Sequence, residues 1–272
     1  MTFVSPAPAS HPPLLRESTG SIAVLTLNRP EARNSLSEAL LRALAVELTA
    51  IAADRSVHAV VIAANGPAFS SGHDLKELTS RRSDPDGGRA YFAHIMTLCS
   101  AVMQQIVRLP QPVIAAAHGT ATAAGCQLVA TCDLAIASAD ARFATPGVNI
   151  GLFCSTPMVA LSRNVAPKHA MELLLTGDAI SADDAARIGL INHVVAPGTE
   201  REAALALAHR IAAKSGHVIK NGKDAFYRQI NMDLVQAYDY AAETMANNMM
   251  ARDAAEGISA FIEKRKPQWE DR

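Results

Sequence analysis

The order of predicted elements indicates an α/β fold that continues into a C-terminal helical unit. Apolar strand candidates alternate with amphipathic helix candidates to about residue 196, and from Glu200 onward the pattern is helical only. Of the 272 residues, 49% are apolar, so the chain can bury a sizeable core. We therefore expect a flexible tail over 1–14, an α/β core over 15–199 and a helical domain over 200–272.

Five short segments predict the strands of the core. Each is rich in apolar or small residues and is bounded by polar or turn-forming residues. They are Ser21–Leu27, Val57–Ala63, Pro112–Ala117, Leu134–Ser138 and Val194–Val195.

Helical spacing of apolar residues predicts the helices between these strands. The first helix follows a capping box at Ser35–Glu38 and carries five apolar residues on one face. Residues 76–88 are polar and contain Pro85, Gly87 and Gly88, so we expect a mobile flap there. Further helices are predicted at Arg89–Leu109, Ala123–Cys132 and Pro167–Leu175, and after the cap Ser181–Asp184, where Gly189 ends the helix.

Composition and charge narrow the function classes. The net charge is −1, from 25 basic and 26 acidic residues, with no basic block, so a nucleic-acid partner is not expected. No apolar run approaches about 20 residues, so no membrane span is expected. Met1–Pro13 lacks the pattern of a signal or transit peptide. The four cysteines and nine histidines lack metal-ligand spacing, which predicts reduced thiols, no metal site and a cytoplasmic location.

The loop Ala68–Lys76 follows a predicted strand, where α/β folds place ligands. Gly72 permits an unusual backbone angle, so the next main-chain N–H, that of His73, could point into a cleft. An ordinary connection between strand and helix, with Asp74 as the helix cap, is the alternative and is favoured for this loop alone.

The segment His118–Leu128 is a second loop of the same kind. Its small residues Ala123, Ala124 and Gly125 precede a helix, where unpaired N–H groups and the positive end of the helix dipole can meet a carbonyl. Close packing of helix on strand is the alternative. Two such loops after successive strands favour a pair of N–H donors that stabilises an enolate or oxyanion. Gln127, beside the second loop, cannot accept a proton at neutral pH.

Several stretches together resemble the crotonase, or enoyl-CoA hydratase, superfamily. They span nearly the whole chain after residue 20, in the family's order. They are Leu27–Pro30, Ala68–Leu78, Pro112–Asp133, Phe143–Pro146, Leu175–Ala182, Gly189–Leu190 and Phe261–Arg265. Within this chain, two segments resemble one branch of the superfamily, called enoyl-CoA hydratase domain-containing protein 3. These segments are Gly125–Ala130 and Thr145–Pro157.

The resemblance implies a fold, a ligand and a set of contacts. It implies a crotonase-like spiral of ββα turns, a C-terminal helical oligomerisation unit, and trimers that often pair into hexamers. It implies an acyl-CoA thioester whose carbonyl lies between the N–H groups of His73 and Ala124, with coenzyme A as part of the substrate and no permanently bound cofactor. The implied CoA and substrate contacts are Arg33, Ser71, Gly72, His73, Asp74, Leu75, Lys76, Ala124, Phe261 and Lys264.

The chain departs from the family where its hydratases place two glutamates around one water. Those positions map onto Gln127 and Gly147. General acid/base groups contribute about 10²–10⁴ in rate, so efficient hydration is not expected. Efficient isomerisation of a double bond is not expected either, because the family's isomerases often place their base at the second of these positions, which is Gly147 here.

Three hypotheses about function remain. The first is an enoyl-CoA hydratase-like lyase of fatty-acid metabolism with weak or altered activity. The second is decarboxylation of a methylmalonyl-type thioester, since Gly72-His73-Asp74 resembles a decarboxylase of the superfamily, although that enzyme's tyrosine maps near Cys154. The third is a non-catalytic acyl-CoA-binding or regulatory protein. Asn149, Cys154 and Ser155 could replace the missing acids, but satisfying the backbone of their loop is favoured.

Overall fold

The computed structural model describes residues 11–272. Residues 1–10 of the predicted tail over 1–14 lie outside the described residues. Leu14 begins the first strand and is buried, so the core begins there rather than at residue 15.

The strands are short, and most of them were predicted. The first, fifth, seventh and eighth were not, because they are short or carry mainly polar and exposed side chains that give no apolar pattern. The strands are β1 Leu14–Thr19, β2 Ile22–Leu27, β3 Ala59–Ala64, β4 Val113–Ala117, β5 Thr120–Thr122, β6 Leu134–Ser138, β7 Arg142–Ala144, β8 Ile180–Ser181 and β9 His193–Val195.

The predicted helices are present, and two helices were not predicted, α2 within the expected flap and α5 after residue 154. Short 3-10 turns cover Pro30–Ala32, Arg81–Ser83 and Pro146–Ile150. The α-helices are α1 Glu38–Ala53, α2 Leu75–Ser80, α3 Arg89–Arg108, α4 Ala124–Thr131, α5 Ser155–Asn164, α6 Pro167–Thr176, α7 Ala182–Arg187, α8 Glu200–Ala212, α9 Gly216–Gln229, α10 Leu234–Met249 and α11 Arg252–Ile262.

Two sheets organise the core. The main sheet has the order β1-β2-β3-β4-β6-β9 and is parallel except for the antiparallel pair β1–β2. The small sheet has the order β5-β7-β8. In two consecutive units, a main-sheet strand is followed by a small-sheet strand and a helix, as β4-β5-α4 and β6-β7-α5. This repeat confirms the α/β class and the predicted succession of ββα turns.

The main sheet is covered on both faces. One face packs on α1 and α3, and the other packs on α8, whose Ala204 and Ala208 join the cluster around Val61 and Ile114. Helix α8 therefore belongs to the core, although the sequence boundary at residue 200 assigned it to the helical domain. The helices that extend beyond the sheet are α9 to α11, which pack on one another.

Two local predictions are corrected. Ser37, rather than Ser35, caps α1, and its hydroxyl accepts a hydrogen bond from Leu40 N at 3.3 Å. Residues 76–88, expected as a flap, form most of α2 and the 3-10 turn Arg81–Ser83. Asp74 is the N-cap of α2, as the alternative for its loop predicted, and its Oδ1 accepts from the Glu77 N–H. The polar composition of residues 76–80 concealed the helix that follows this cap.

Helix α3 is long and apolar enough, by length and composition alone, to cross a membrane. Its residues Ile95, Cys99, Val102 and Ile106 are buried in the main hydrophobic core. A core helix of a globular domain gives the same signal, so this is weak evidence for a membrane span.

Candidate active site

The two predicted loops lie side by side in the structure. The Thr122 N–H donates to the Ser70 carbonyl at 2.9 Å, and the Ser70 N–H donates to the Thr120 carbonyl at 3.1 Å. These bonds extend the small sheet to Ser70, which forms a parallel bridge with Ala121. The loop after β3 therefore contacts the turn between β5 and α4 along its length.

Two glycines make this close contact possible. A Cβ added to Gly72 would lie 2.8 Å from the Ala123 Cβ and 3.2 Å from the Ala124 nitrogen. Gly72 also has φ +90°, a backbone angle that L side chains rarely adopt. A Cβ on Gly125 would lie 2.2 Å from the Ser70 carbonyl oxygen. Neither position can hold a side chain unless the two turns separate.

The contact brings together two unpaired main-chain donors. Within residues 11–272, neither the His73 N–H nor the Ala124 N–H has a hydrogen-bond acceptor. Ala124 is the first residue of α4, so its N–H is one of those that a helix leaves free. The helix dipole adds positive potential at the same point. Buried N–H groups without acceptors are rare, so this pair is suited to an oxygen acceptor from outside the chain.

Ala123, just before this donor, has a strained backbone. Its φ of 50° and ψ of −119° belong to a region that residues with a side chain rarely adopt. Its N–H donates to the Ala144 carbonyl at 2.9 Å, which ties the turn to β7. Such strain costs about 1–3 kcal/mol and persists only where the surroundings enforce it.

A polar network fixes the loop that carries His73. The Arg29 guanidinium donates to Asp74 Oδ2 at 3.0 Å, and the Ser35 hydroxyl donates to the same oxygen at 3.0 Å. Asp74 Oδ1 accepts from the Glu77 N–H and so caps α2. Burial acts to raise the pKa of Asp74, but these hydrogen bonds outweigh it and hold that pKa below its usual value. The Asp74 side chain therefore has a structural role. This agrees with the alternative interpretation of the loop as an ordinary connection between a strand and a helix.

The His73 imidazole is buried beside its own N–H. Neither ring nitrogen makes a hydrogen bond within the described chain. Burial lowers the pKa of His73, and the nearby Leu36 backbone offsets only part of that shift. The ring is neutral at pH 7, with one donor and one acceptor free.

Gln127 lies in the first turn of α4, three residues after Ala124. It is 4% exposed, and its Oε1 is buried without a partner among residues 11–272. An unpaired buried polar atom costs about 1–3 kcal/mol, so the site is poised for a donor from a ligand or water.

Gly147 occupies a position without room for a side chain. A Cβ there would lie 2.8 Å from the Leu152 carbonyl oxygen and 2.9 Å from Cys154 Sγ. The Leu152 N–H donates back to the Gly147 carbonyl at 2.9 Å, which closes the turn. The second acid position is therefore filled by neighbouring atoms.

The remaining predicted contacts are distributed over separate elements. Arg33 is exposed, and its carbonyl accepts from the Ser71 N–H at 3.0 Å. Leu75 and Lys76 are exposed in the first turn of α2. Phe261, 84% exposed, and Lys264 lie at the end of α11, which packs on α9 and α10. The single chain does not bring these last two together with the N–H pair.

Two cavities lie away from the two loops. They measure about 430 and 310 Å³, border α9 and the start of β4, and are not lined by His73, Ala124 or Gln127. The larger one is rimmed by Arg108, Lys220 and Arg228, which are exposed. Buried unpaired groups mark a reactive site better than cavity volume does.

The His118 side chain is held by the backbone. Its ring forms a hydrogen bond with the Gly66 carbonyl at 2.8 Å, so this histidine has a structural role. In the described part of the chain, no group of three or more His, Cys, Asp or Glu residues could hold a metal ion.

Sequence reasoning missed two features of the site. The backbone strain at Ala123 leaves no mark in the sequence, because alanine is not a residue associated with positive φ. The filled space at Gly147 depends on Leu152 and Cys154, which reach it through a turn. The sequence signal at this position was a glycine where the family has a glutamate. That signal indicated a missing acid, but it did not indicate that neighbouring atoms fill the space.

Comparison with known proteins identifies the family. Residues 17–272 match the family described as enoyl-CoA hydratase/isomerase. The rat protein named enoyl-CoA hydratase domain-containing protein 3, mitochondrial, is 47% identical over 264 residues, which cover 96% of this chain and 86% of that protein.

Two solved structures are similar throughout. The enoyl-CoA hydratase of Mycobacterium smegmatis has a TM-score of 0.91 and 53% identity, over 95% of this chain and 99% of that one. Human enoyl-CoA hydratase domain-containing protein 3 has a TM-score of 0.90 and 46% identity, over 94% of this chain and 100% of that one. These likenesses confirm the resemblance, its branch and the crotonase fold, and the chain belongs to the enoyl-CoA hydratase/isomerase family.

Proposed function

We propose that this protein binds an acyl-CoA thioester and stabilises its enolate through the N–H groups of His73 and Ala124. The observation that carries the proposal is that both donors are unpaired and lie on turns in direct contact. A preorganised donor of this kind is worth about 10²–10³ in rate. Coenzyme A enters as part of the substrate, and the chemistry needs no permanently bound cofactor.

Hydration by this site is weak or has been replaced. Gln127 cannot act as a base, and Gly147 has neither a carboxylate nor room for one. The loss of general acid/base groups costs about 10²–10⁴, and the two losses need not add, because both groups act on one water. The protein is therefore a hydratase-like lyase with low or altered activity.

Decarboxylation is the second candidate, and the state of His73 favours it. In a malonyl-type thioester the bond between Cα and the carboxylate breaks, and its electron pair forms the enolate that the two N–H groups hold. Carbon dioxide leaves, and Cα then takes a proton from solvent. This route needs no glutamate, and the buried, unpaired imidazole of His73 offers a hydrogen bond to the departing carboxylate.

One comparison of substrates tests these functions. The protein is mixed with crotonyl-CoA and separately with methylmalonyl-CoA, while thioester absorbance and CO₂ release are followed and binding is measured by calorimetry. CO₂ release supports decarboxylation, and slow loss of crotonyl-CoA absorbance that Gln127→Ala abolishes supports weak hydration. Tight binding without turnover supports a non-catalytic acyl-CoA-binding protein. Absence of binding contradicts the proposal.

We further propose a homo-oligomer, a trimer or a pair of trimers. Five large apolar side chains of α10 are half or more exposed in the single chain, and such a face is typical of an interface. They are Leu234, Val235, Tyr238, Met245 and Met249. Light scattering after size-exclusion chromatography tests the oligomer. The four free, buried cysteines support a cytoplasmic location, which imaging of the tagged protein tests.

A further inference from the structure

The space beside Gly147 is occupied by a thiol. Cys154 Sγ would lie 2.9 Å from a Cβ at position 147, in the direction that a side chain there would extend. The Leu152 carbonyl oxygen, at 2.8 Å, closes the other side. The loop from 147 to 154 has therefore folded into the volume that an acid would need.

The same thiol lies next to the helix that carries Gln127. Cys154 is the N-cap of α5, and α5 packs on α4. Burial, together with the charge that the Cys154 thiol would carry when ionised, raises the pKa of Cys126 to about 12. Gln127 follows Cys126 directly, and its buried Oε1 has no partner in the described chain, so it is free to accept a hydrogen bond from a ligand.

We propose that Cys154 is a specificity-determining residue that lies beside the acyl site and fills the volume that an acidic side chain at position 147 would need to activate a water. This inference rests on the proposed function, since it assigns a role within the same thioester site. It implies that the site selects acyl groups whose chemistry needs no attacking water, and that restoring glutamates alone will not restore hydration.

The chemistry of the thiol agrees with this role. Burial raises the pKa of Cys154, although the Gly147 N–H offsets part of the shift, so the group is a neutral thiol at pH 7. A neutral thiol is a weak donor and behaves as a small apolar group. It excludes water without supplying a base.

Protection of this thiol by substrate tests the proposal in the unaltered protein. The whole protein is treated with methyl methanethiosulfonate, with and without butyryl-CoA, and each cysteine is quantified by peptide mass spectrometry. Cys132 is the matched control, because it is also buried and free, with the same 7% exposure as Cys154. At butyryl-CoA ten times above its Kd, modification of Cys154 should slow roughly tenfold and that of Cys132 should not change.

Calorimetry in the same buffer measures butyryl-CoA binding and so distinguishes a failure of the inference about Cys154 from a failure of the proposed function. If butyryl-CoA binds but Cys154 reacts at its original rate, the inference is overturned and the proposed function stands. If both cysteines are protected equally, the effect is a general stabilisation and the inference is also overturned. If butyryl-CoA does not bind, the proposed function itself fails.

A second experiment measures hydration activity to test whether Cys154 blocks an acidic side chain at position 147. Gln127→Glu/Gly147→Glu should hydrate crotonyl-CoA no faster than Gln127→Glu alone. Adding Cys154→Gly should then raise kcat at least tenfold, roughly the lower range of an acid/base contribution. The turn must still shift at the Leu152 carbonyl oxygen, which would lie 2.8 Å from a Cβ at position 147.

The control for that series is Ser155→Gly, since Ser155 is the exposed neighbour of Cys154 at the start of α5. It should give no gain in the same double variant. Full hydration by Gln127→Glu/Gly147→Glu with Cys154 in place would overturn the inference. If the triple variant does not fold, the thiol-protection result still decides the question.

Discussion

The turn that leads from β5 into α4 and the turn that follows β7 use the same device with opposite results. Each contains a glycine whose missing side chain admits a backbone oxygen. At Gly125 the incoming oxygen belongs to Ser70, and the contact leaves the Ala124 N–H free. At Gly147 it belongs to Leu152, and the contact fills the space of an acid.

Under the proposed function, the difference means that the binding element and the proton-transfer element have diverged separately within one site. The N–H pair depends on main-chain geometry, which glycines and small residues preserve. The acids depend on two side chains, and a substitution removes them while the backbone stays in place. The following changes act on one turn at a time.

The largest effect is expected from removing the Ala124 donor. Ala124→Pro lacks the N–H, and the first residue of a helix tolerates proline. Turnover of whichever thioester proves active should fall about 10²–10³-fold, and Ala124→Gly, which keeps the donor, should lose far less. Steady-state kinetics on folded protein measures this. Similar losses in both variants would remove Ala124 from the donor pair.

Gly125→Ala should be the most destabilising of the glycine changes. Its Cβ would meet the Ser70 carbonyl oxygen at 2.2 Å, where neither backbone can yield easily. We expect a loss of about 3 kcal/mol in the free energy of unfolding, the upper range for overpacking. Gly222→Ala is the control, because Gly222 lies in α9 with nothing within 4 Å and should gain up to about 1 kcal/mol. Urea denaturation measures the free energy of unfolding of each variant and shows whether it falls or rises.

Gly147→Ala should cost less, about 1–2 kcal/mol, because the turn it disturbs is exposed at Leu152. The same denaturation experiment applies. The comparison between the two turns would fail if Gly147→Ala were neutral, since the space would then be open.

The sequence and the structure agree where the pattern is long and periodic. The buried strands β2, β3 and β4 and the apolar face of α1 were predicted, because packing on both sides of a sheet needs continuous apolar residues. The two loops that the sequence singled out lie in contact in the structure. Short polar strands such as β5 were missed, and so was the contact between Cys154 and Gly147, because both depend on how separate segments fold onto one another.

The pH dependence of stability should report on the buried His73. Its pKa is lowered in the folded protein, so the unfolded chain binds the proton more readily. This contribution to stability is fully present above the unfolded pKa of about 6.5 and is lost as pH falls toward the folded value, with a slope of up to about 1.4 kcal/mol per pH unit. His73→Gln should flatten the stability curve below pH 6.5, whereas replacing the exposed His193 with Gln should not. If both variants had the same dependence of stability on pH, the His73 side chain would be exposed to solvent, contrary to this account.

The smallest effect is expected at Ala123. Ala123→Gly relieves a strained φ of 50°, and part of the gain is offset because glycine loses more entropy on folding. We expect stabilisation of about 1 kcal/mol, seen as a higher melting temperature. Destabilisation would mean that the turn holds its conformation without strain.

The vibration of the thioester carbonyl tests the central claim most directly. Difference infrared spectroscopy of butyryl-CoA labelled with ¹³C at the carbonyl compares the bound and free stretching frequencies. Two N–H donors should polarise the carbonyl and move the bound band to lower frequency, and Ala124→Pro should reverse most of that movement. A bound band at the frequency of the free thioester in water, in unaltered protein saturated with ligand, would contradict the account.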